Sequence, residues 1–208
     1  MVMFTPSIRC SLFLSLFSLL FLGLTLPARS VLADVGEVRV GGTVSILPVG
    51  ELHAEVEDFG SETVDAVTAF GLGGVIEVQI LTHLAVGFMP RLLLNVKPED
   101  EDGGSAEELD LLLRLTGFVP VGDTVQLYAF AAPGYSVLFI PDWPGELSNP
   151  TGFIFGLGGG TAVDINPRLR LTAELGYQFG NQGLTEQGRS VELETSYLHV
   201  GMSAMARF

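Results

Sequence analysis

The chain is poor in several things at once. It has one cysteine, Cys10, and only ten Lys and Arg against 24 Asp and Glu, a formal net charge of -14. A basic surface able to neutralise phosphates cannot be built from so few cations, which excludes nucleic acid as a partner. The three histidines, His53, His83 and His199, show no metal-ligand spacing. Beyond Asp34 no apolar run is long enough for a transmembrane helix. Yet the chain is 48% hydrophobic with a mean hydropathy of +0.45. That apolar content must be spread in a pattern other than helical spans.

Part of it lies in the first segment, MVMFTPSIRCSLFLSLFSLLFLGLTLPARSVLA. Arg9 precedes an uncharged run from Cys10 to Ala28, and Val31-Leu32-Ala33 resembles a signal-peptide cleavage site. Residues 1–33 are therefore expected to form a cleaved leader and 34–208 a single mature domain. The competing reading is an uncleaved anchor helix; Pro27 and the small residues after it favour cleavage. Cleavage removes two positive charges, Arg9 and Arg29, and no acid, so the formal charge moves from -14 to -16. It also removes Cys10, so no disulfide holds the exported domain together.

The rest of the sequence alternates with period two. EVRVGGTVSI places Val38, Val40, Val44 and Ile46 on one face and Glu37, Arg39, Thr43 and Ser45 on the other. The pattern returns in TAFGLGGVIEV, HLAVGFMPRLLLNV, ELDLLLRLTG, TVQLYAFAAPG, GFIFGLGGGTAV, RLRLTAELGYQFG and the closing YLHVGMSAMARF. Eight strands are predicted. Their connections alternate in length: short at Leu81-Thr82, Pro120 to Asp123 and Asp164 to Arg168, long at 47–65, 97–107, 139–150 and 181–190. Pro90 inside the third strand predicts a bulge or register shift, because proline cannot donate to a ladder.

One face of every strand is Leu, Val, Phe and Ala with almost no charge. The other is rich in glycine and small residues with scattered charges. A soluble sandwich or a lipocalin-like carrier would turn its polar face to water. Small residues instead suit the crowded inside of a narrow barrel, and an uncharged apolar face suits lipid, which strands can cross only as a closed sheet. The expected fold is all-β: an eight-stranded antiparallel up-and-down transmembrane β-barrel.

The alternation up to the terminal Phe208, with the leader and the alternating connections, resembles the bacterial outer-membrane β-barrel proteins, the small eight-stranded group that includes the OmpX-like, OmpW-like and opacity-type (porin-family) proteins. The resemblance implies an outer-membrane location in a Gram-negative-type bacterium and a monomer in contact with lipid and lipopolysaccharide. It also implies that Phe208 is an assembly signal for the barrel-insertion machinery.

The inward set contains Arg39, Glu77, Arg91, Arg114, Arg170 and Glu174, with Glu37, Asp110, His199 and Arg207. Charges inside a barrel must be paired. They are expected to form a salt-bridge network that plugs the lumen; the alternative is a gate in a narrow polar pathway. Acidic segments at 51–65 and 97–110 include Glu99, Asp100, Glu101 and Asp102, a possible divalent-cation site set against a self-repelling solvated loop. Trp143, among prolines, is placed in an interfacial aromatic belt, with a protein-contacting loop as the alternative. GLGG and GLGGGT do not complete GxGxxG, and GMSAM is not GxSxG. No cofactor, metal or catalytic residues are expected. The function expected is structural or surface-interacting, with a passive channel as the alternative and lipid-modifying catalysis as a remote third.

Overall fold

A computed structural model describes residues 35–56, 60–97, 105–140, 149–186 and 189–208. The expected leader at 1–33, the acidic tetrad Glu99, Asp100, Glu101 and Asp102, and Trp143 lie outside the described residues.

Nine strand segments follow one another: β1 (Val38–Val56), β2 (Gly60–Ala66), β3 (Ala69–Leu81), β4 (Leu84–Val96), β5 (Ala106–Pro120), β6 (Val125–Phe139), β7 (Thr151–Asn166), β8 (Leu169–Glu186) and β9 (Arg189–Arg207). Every pairing is antiparallel, and each strand pairs with the next in the chain except β2 with β3. β2 and β3 lie along the same side of β1, β2 on Gly50–Val56 and β3 on Val38–Leu47. They share one position in the wall, so the barrel has eight staves. β1 also pairs with β9, from Arg39 opposite Arg207 to Val56 opposite Val191, which closes the sheet. At the seam the Val38 amide donates to the Phe208 carbonyl at 3.2 Å and the Phe208 amide to Val38 at 2.9 Å. The final residue is thus held in the ladder, while its ring points outward.

Two of the four connections expected to be long loops are strand. Of the first, residues 47–56 continue β1 and 60–65 belong to β2, which pairs with it; of the second, 181–186 continue β8 and 189–190 begin β9. The ladder can satisfy its own backbone groups beyond the apolar belt, so the switch to acidic residues there changes the solvent and not the pairing. Glu107, assigned to the long connection at 97–107, belongs to β5, as does Glu108, the first residue of the strand read from the sequence.

The expected irregularity at Pro90 is absent. Pro90 sits opposite Leu111 without a shift, and Ile76–Phe88 and Gly73–Arg91 keep one register on the other side. The β3–β4 ladder skips Gly74 and Val75, where the missing proline donor falls. The bulges are elsewhere. Leu47 and Pro48 interrupt the β1–β9 register between Ile46 and Val49, which reverses the facing of β1, so Leu52 turns inward and Glu51 and Glu55 outward. In β4 the register shifts between Leu93 and Val96, with Asn95 at a φ of 66°. Asn is among the few residues that accept this left-handed conformation, and its side-chain amide donates to the Thr68 carbonyl at 2.9 Å, at the break between β2 and β3.

The distribution of residues is the inverse of a soluble protein. Outward-facing Leu72, Leu113, Leu175 and Met202 are 54%, 60%, 56% and 62% exposed, while Arg39, Arg170, Glu108 and Asp110 are fully buried. Outward Glu51, Glu55, Glu107, Glu192 and Glu194 appear only at the end away from the short turns.

Candidate functional site

The lumen follows from the alternation. With eight staves the interior is just wide enough for interlocking side chains, and inward glycines decide where the large ones go. A Cβ on Gly158 would lie 2.5 Å from the Leu175 carbonyl oxygen and 2.7 Å from the Phe130 ring. The glycines of β7 therefore make room for aromatic rings from β6. The charged side chains sort into three layers, from the short-turn end upward.

The basal layer is a chain of alternating charge. Arg39 donates to Glu37 at 2.6 Å, to Glu77 at 2.5 Å and to the Gln79 side-chain oxygen at 2.6 Å. Arg207 donates to the other oxygen of Glu37 at 2.6 Å and lies 3.2 Å from Asp164. Arg170 donates to both oxygens of Asp164, at 2.7 and 3.0 Å. The Arg39 and Arg170 guanidinium groups lie 5.2 and 5.5 Å from the Phe118 ring centroid. Three arginines face three carboxylates, and the layer is neutral. At its outer edge, beyond the strand, Glu37 carries a carboxyl that burial pushes up, but the hydrogen bonds and charges of Arg207 and Arg39 outweigh this and hold it below the ordinary value of 4.5.

The middle layer is built on Arg114, which grips Glu174 through two hydrogen bonds of 3.2 and 2.6 Å. The Arg114 guanidinium lies 4.0 Å from the Phe130 ring centroid. The Tyr128 hydroxyl donates to Glu174 at 2.8 Å, and His199 Nε2 stands 3.8 Å from the same carboxylate. A cavity of about 20 Å³, room for one water, separates this layer from the basal one and touches Glu77, Arg114, Phe118 and Tyr128.

The upper layer holds Arg91, which donates to Asp110 at 2.7 Å and to Gln178. Beside it Glu108 accepts from Ser136 and Gln182, both at 2.9 Å. An apolar cluster that includes Leu47, Leu52, Leu93, Leu138 and Tyr197 fills the top.

Of the six residues singled out in the sequence, two pairs meet directly: Arg39 with Glu77 and Arg114 with Glu174. Arg91 and Arg170 pair instead with Asp110 and Asp164. The six do not form one connected network. One of these partners, Asp164, was misplaced in a short turn by sequence reasoning, although it shares parity with the inward Gly160 and Ala162. Glu108, read both in an acidic loop and as the first residue of a strand, shares parity with Asp110. Among the described residues no group of three or more His, Cys, Asp and Glu could hold a metal ion.

A closed antiparallel barrel of eight staves, apolar outside and charge-paired inside, is the fold of the small outer-membrane β-barrels. Solved structures agree. The outer-membrane protein OprG of Pseudomonas aeruginosa matches over 84% of this chain and 96% of its own, with a TM-score of 0.58 at 13% identity. AlkL, an outer-membrane protein solved by solid-state NMR in DMPC bilayers, matches over 88% and 95% with a TM-score of 0.56 at 17% identity. No family model matches the chain, and no curated protein matches it.

Proposed function

We propose that the chain is a monomeric integral protein of a Gram-negative-type outer membrane, acting as a closed anchor that presents an acidic rim at the surface and not as an open pore. The observation that carries this reading is the filled lumen. Two fully buried arginines of the basal layer and the bidentate Arg114–Glu174 pair lie across the passage, with an apolar plug above them. The outward belt supports contact with lipid, since uncharged apolar residues cover the height at which Lys or Arg would be strongly disfavoured.

The rim carries exposed Glu51, Glu55, Glu62, Asp65, Glu107, Glu192 and Glu194. Against lipopolysaccharide these carboxylates would act through bridging cations, and Glu99, Asp100, Glu101 and Asp102 would add to them. Phe208, 80% exposed with its backbone tied into the seam, is a handle for the insertion machinery. The reading assigns no catalysis: in the one strand that carries both His199 and Ser203, the histidine is turned to Glu174.

The test is conductance across a planar bilayer. Purified, heat-modifiable barrel is expected to leave the membrane silent at about 100 mV, a potential at which an open path for one charge gains about 2.3 kcal/mol. Stable unitary steps would overturn the closed reading and establish the narrow passive channel.

A further inference from the structure

We propose that the upper lumen contains a binding site for one monovalent positive charge, formed by the adjacent carboxylates of Glu108 and Asp110 and supplied from solution as a sodium-sized cation or as a proton. The inference is independent of whether the barrel conducts. It starts from charge balance. The basal layer sets three arginines against three carboxylates, and the middle layer one against one. The upper layer sets Arg91 against two.

Glu108 and Asp110 stand two residues apart on the inward face of β5, and both are fully buried. Arg91 is committed to Asp110 Oδ2 and to Gln178. Glu108 receives only the neutral donors Ser136 and Gln182, and both use the same oxygen, Oε1. A second carboxylate in the interior without a cation is strongly disfavoured.

The unpartnered atoms around it name the missing ligand. Glu108 Oε2, Asp110 Oδ1, Gln182 Oε1, Thr195 Oγ1 and the Tyr197 hydroxyl are buried without a hydrogen-bond partner. These five are oxygens; Gln178 Nε2, of the amide whose oxygen accepts from Arg91, is the one unpartnered nitrogen of this layer among the described residues. The two carboxylates stand two residues apart on one face of β5, Gln182 reaches Glu108 directly, and Thr195 and Gln182 both border the space over Gly180, where a Cβ would meet Thr195 Oγ1 at 2.8 Å and Gln182 Nε2 at 3.3 Å. Carboxylate, amide and hydroxyl oxygens are the donors that hard cations prefer. A residual charge of one, and only two carboxylates, favour a monovalent occupant over a divalent metal.

β4 contributes Arg91 and β9 contributes Tyr197, while β1, β6 and β8 offer the neutral Ser45, Ser136, Gln178 and Gln182. Arg114, Glu174 and His199 belong to the layer below.

The experiment follows the temperature at which the compact unboiled gel band of the folded full chain converts to the unfolded one. It is run from pH 5 to 9 in choline chloride and in sodium chloride of equal ionic strength. In choline, loss of the proton leaves two like charges together, so the transition is expected to fall by about 3 °C or more as pH rises. Restoration by sodium identifies the metal cation as the occupant; a pH response indifferent to sodium identifies the proton. Either response should vanish in Glu108→Gln and persist in His199→Gln. Sodium-23 relaxation of the wild-type protein reads the site without any variant, should Glu108→Gln fail to fold. A wild-type transition that follows Glu108→Gln at every pH and in both salts, with no sodium-23 broadening, overturns the site.

Discussion

At the scale of single residues, the lumen is a set of buried charges that are stable only in company. Removing one member of the Arg114–Glu174 pair strands the other in the interior, and such losses run to about 3–5 kcal/mol. Glu174→Ala is therefore expected to lower unfolding free energy by that order in urea titrations from lipid vesicles. Replacing both residues, as Arg114→Met with Glu174→Leu, should recover most of it, because matched apolar replacements remove the desolvation problem along with the attraction. A cycle in which the double variant is as weak as the sum of the singles would contradict this account. Glu37 gives a prediction in pH. Its carboxyl sits below the ordinary value of 4.5 when folded, so its contribution is fully present above that value and is lost as pH falls through the lower folded one. Unfolding curves between pH 6 and 3 should show wild type losing stability more steeply than Glu37→Gln on the acid side, with the two slopes parallel above pH 5.

At the scale of elements, the strands were legible because alternation is a property of each one alone. All eight staves stood out from period two, and the inward Arg39, Glu77, Arg91, Arg114, Arg170 and Glu174 are buried as parity required. What parity could not give was which side chains meet, since that depends on the stagger between staves. Arg91 finds Asp110 directly across the ladder, whereas Arg114 reaches across the barrel from β5 to Glu174 on β8. Composition misled where the belt ends, and the acidic run around Glu107 and Glu108 concealed the start of β5. The bulges were invisible for another reason: Pro90 looked like a break and is none, while Asn95, inside the alternating run HLAVGFMPRLLLNV, carries the register shift of β4. Asn95→Ala would place a Cβ-bearing residue without the local amide in a left-handed conformation and free the Thr68 carbonyl. A loss of about 1–2 kcal/mol is expected by the same urea titration, with Asn95→Gly much milder. Equal losses in the two variants would show that the backbone conformation is not the cause.

At the scale of the whole molecule, the exchange of inside for outside is the dominant property. Leu113, 60% exposed on the outward face of β5, lies within the uncharged belt. Leu113→Arg should destabilise the barrel by about 2–4 kcal/mol when folded in lipid vesicles. In lipid-free detergent micelles, which deform around a charge, the same change should be milder, and an equal loss in both would place Leu113 off the belt. The seam has a consequence that belongs to time. Glu37 and Arg207 are joined by a 2.6 Å hydrogen bond although 170 residues separate them, and the first stave is completed only by the last. No smaller part of the sheet is finished by itself. An interrupted or trimmed chain, however nearly whole, carries a bare strand edge beside a broad greasy surface, the combination most prone to clumping. Closure thus makes completion all-or-nothing: a chain short of its last stave shows an edge that the closed barrel hides.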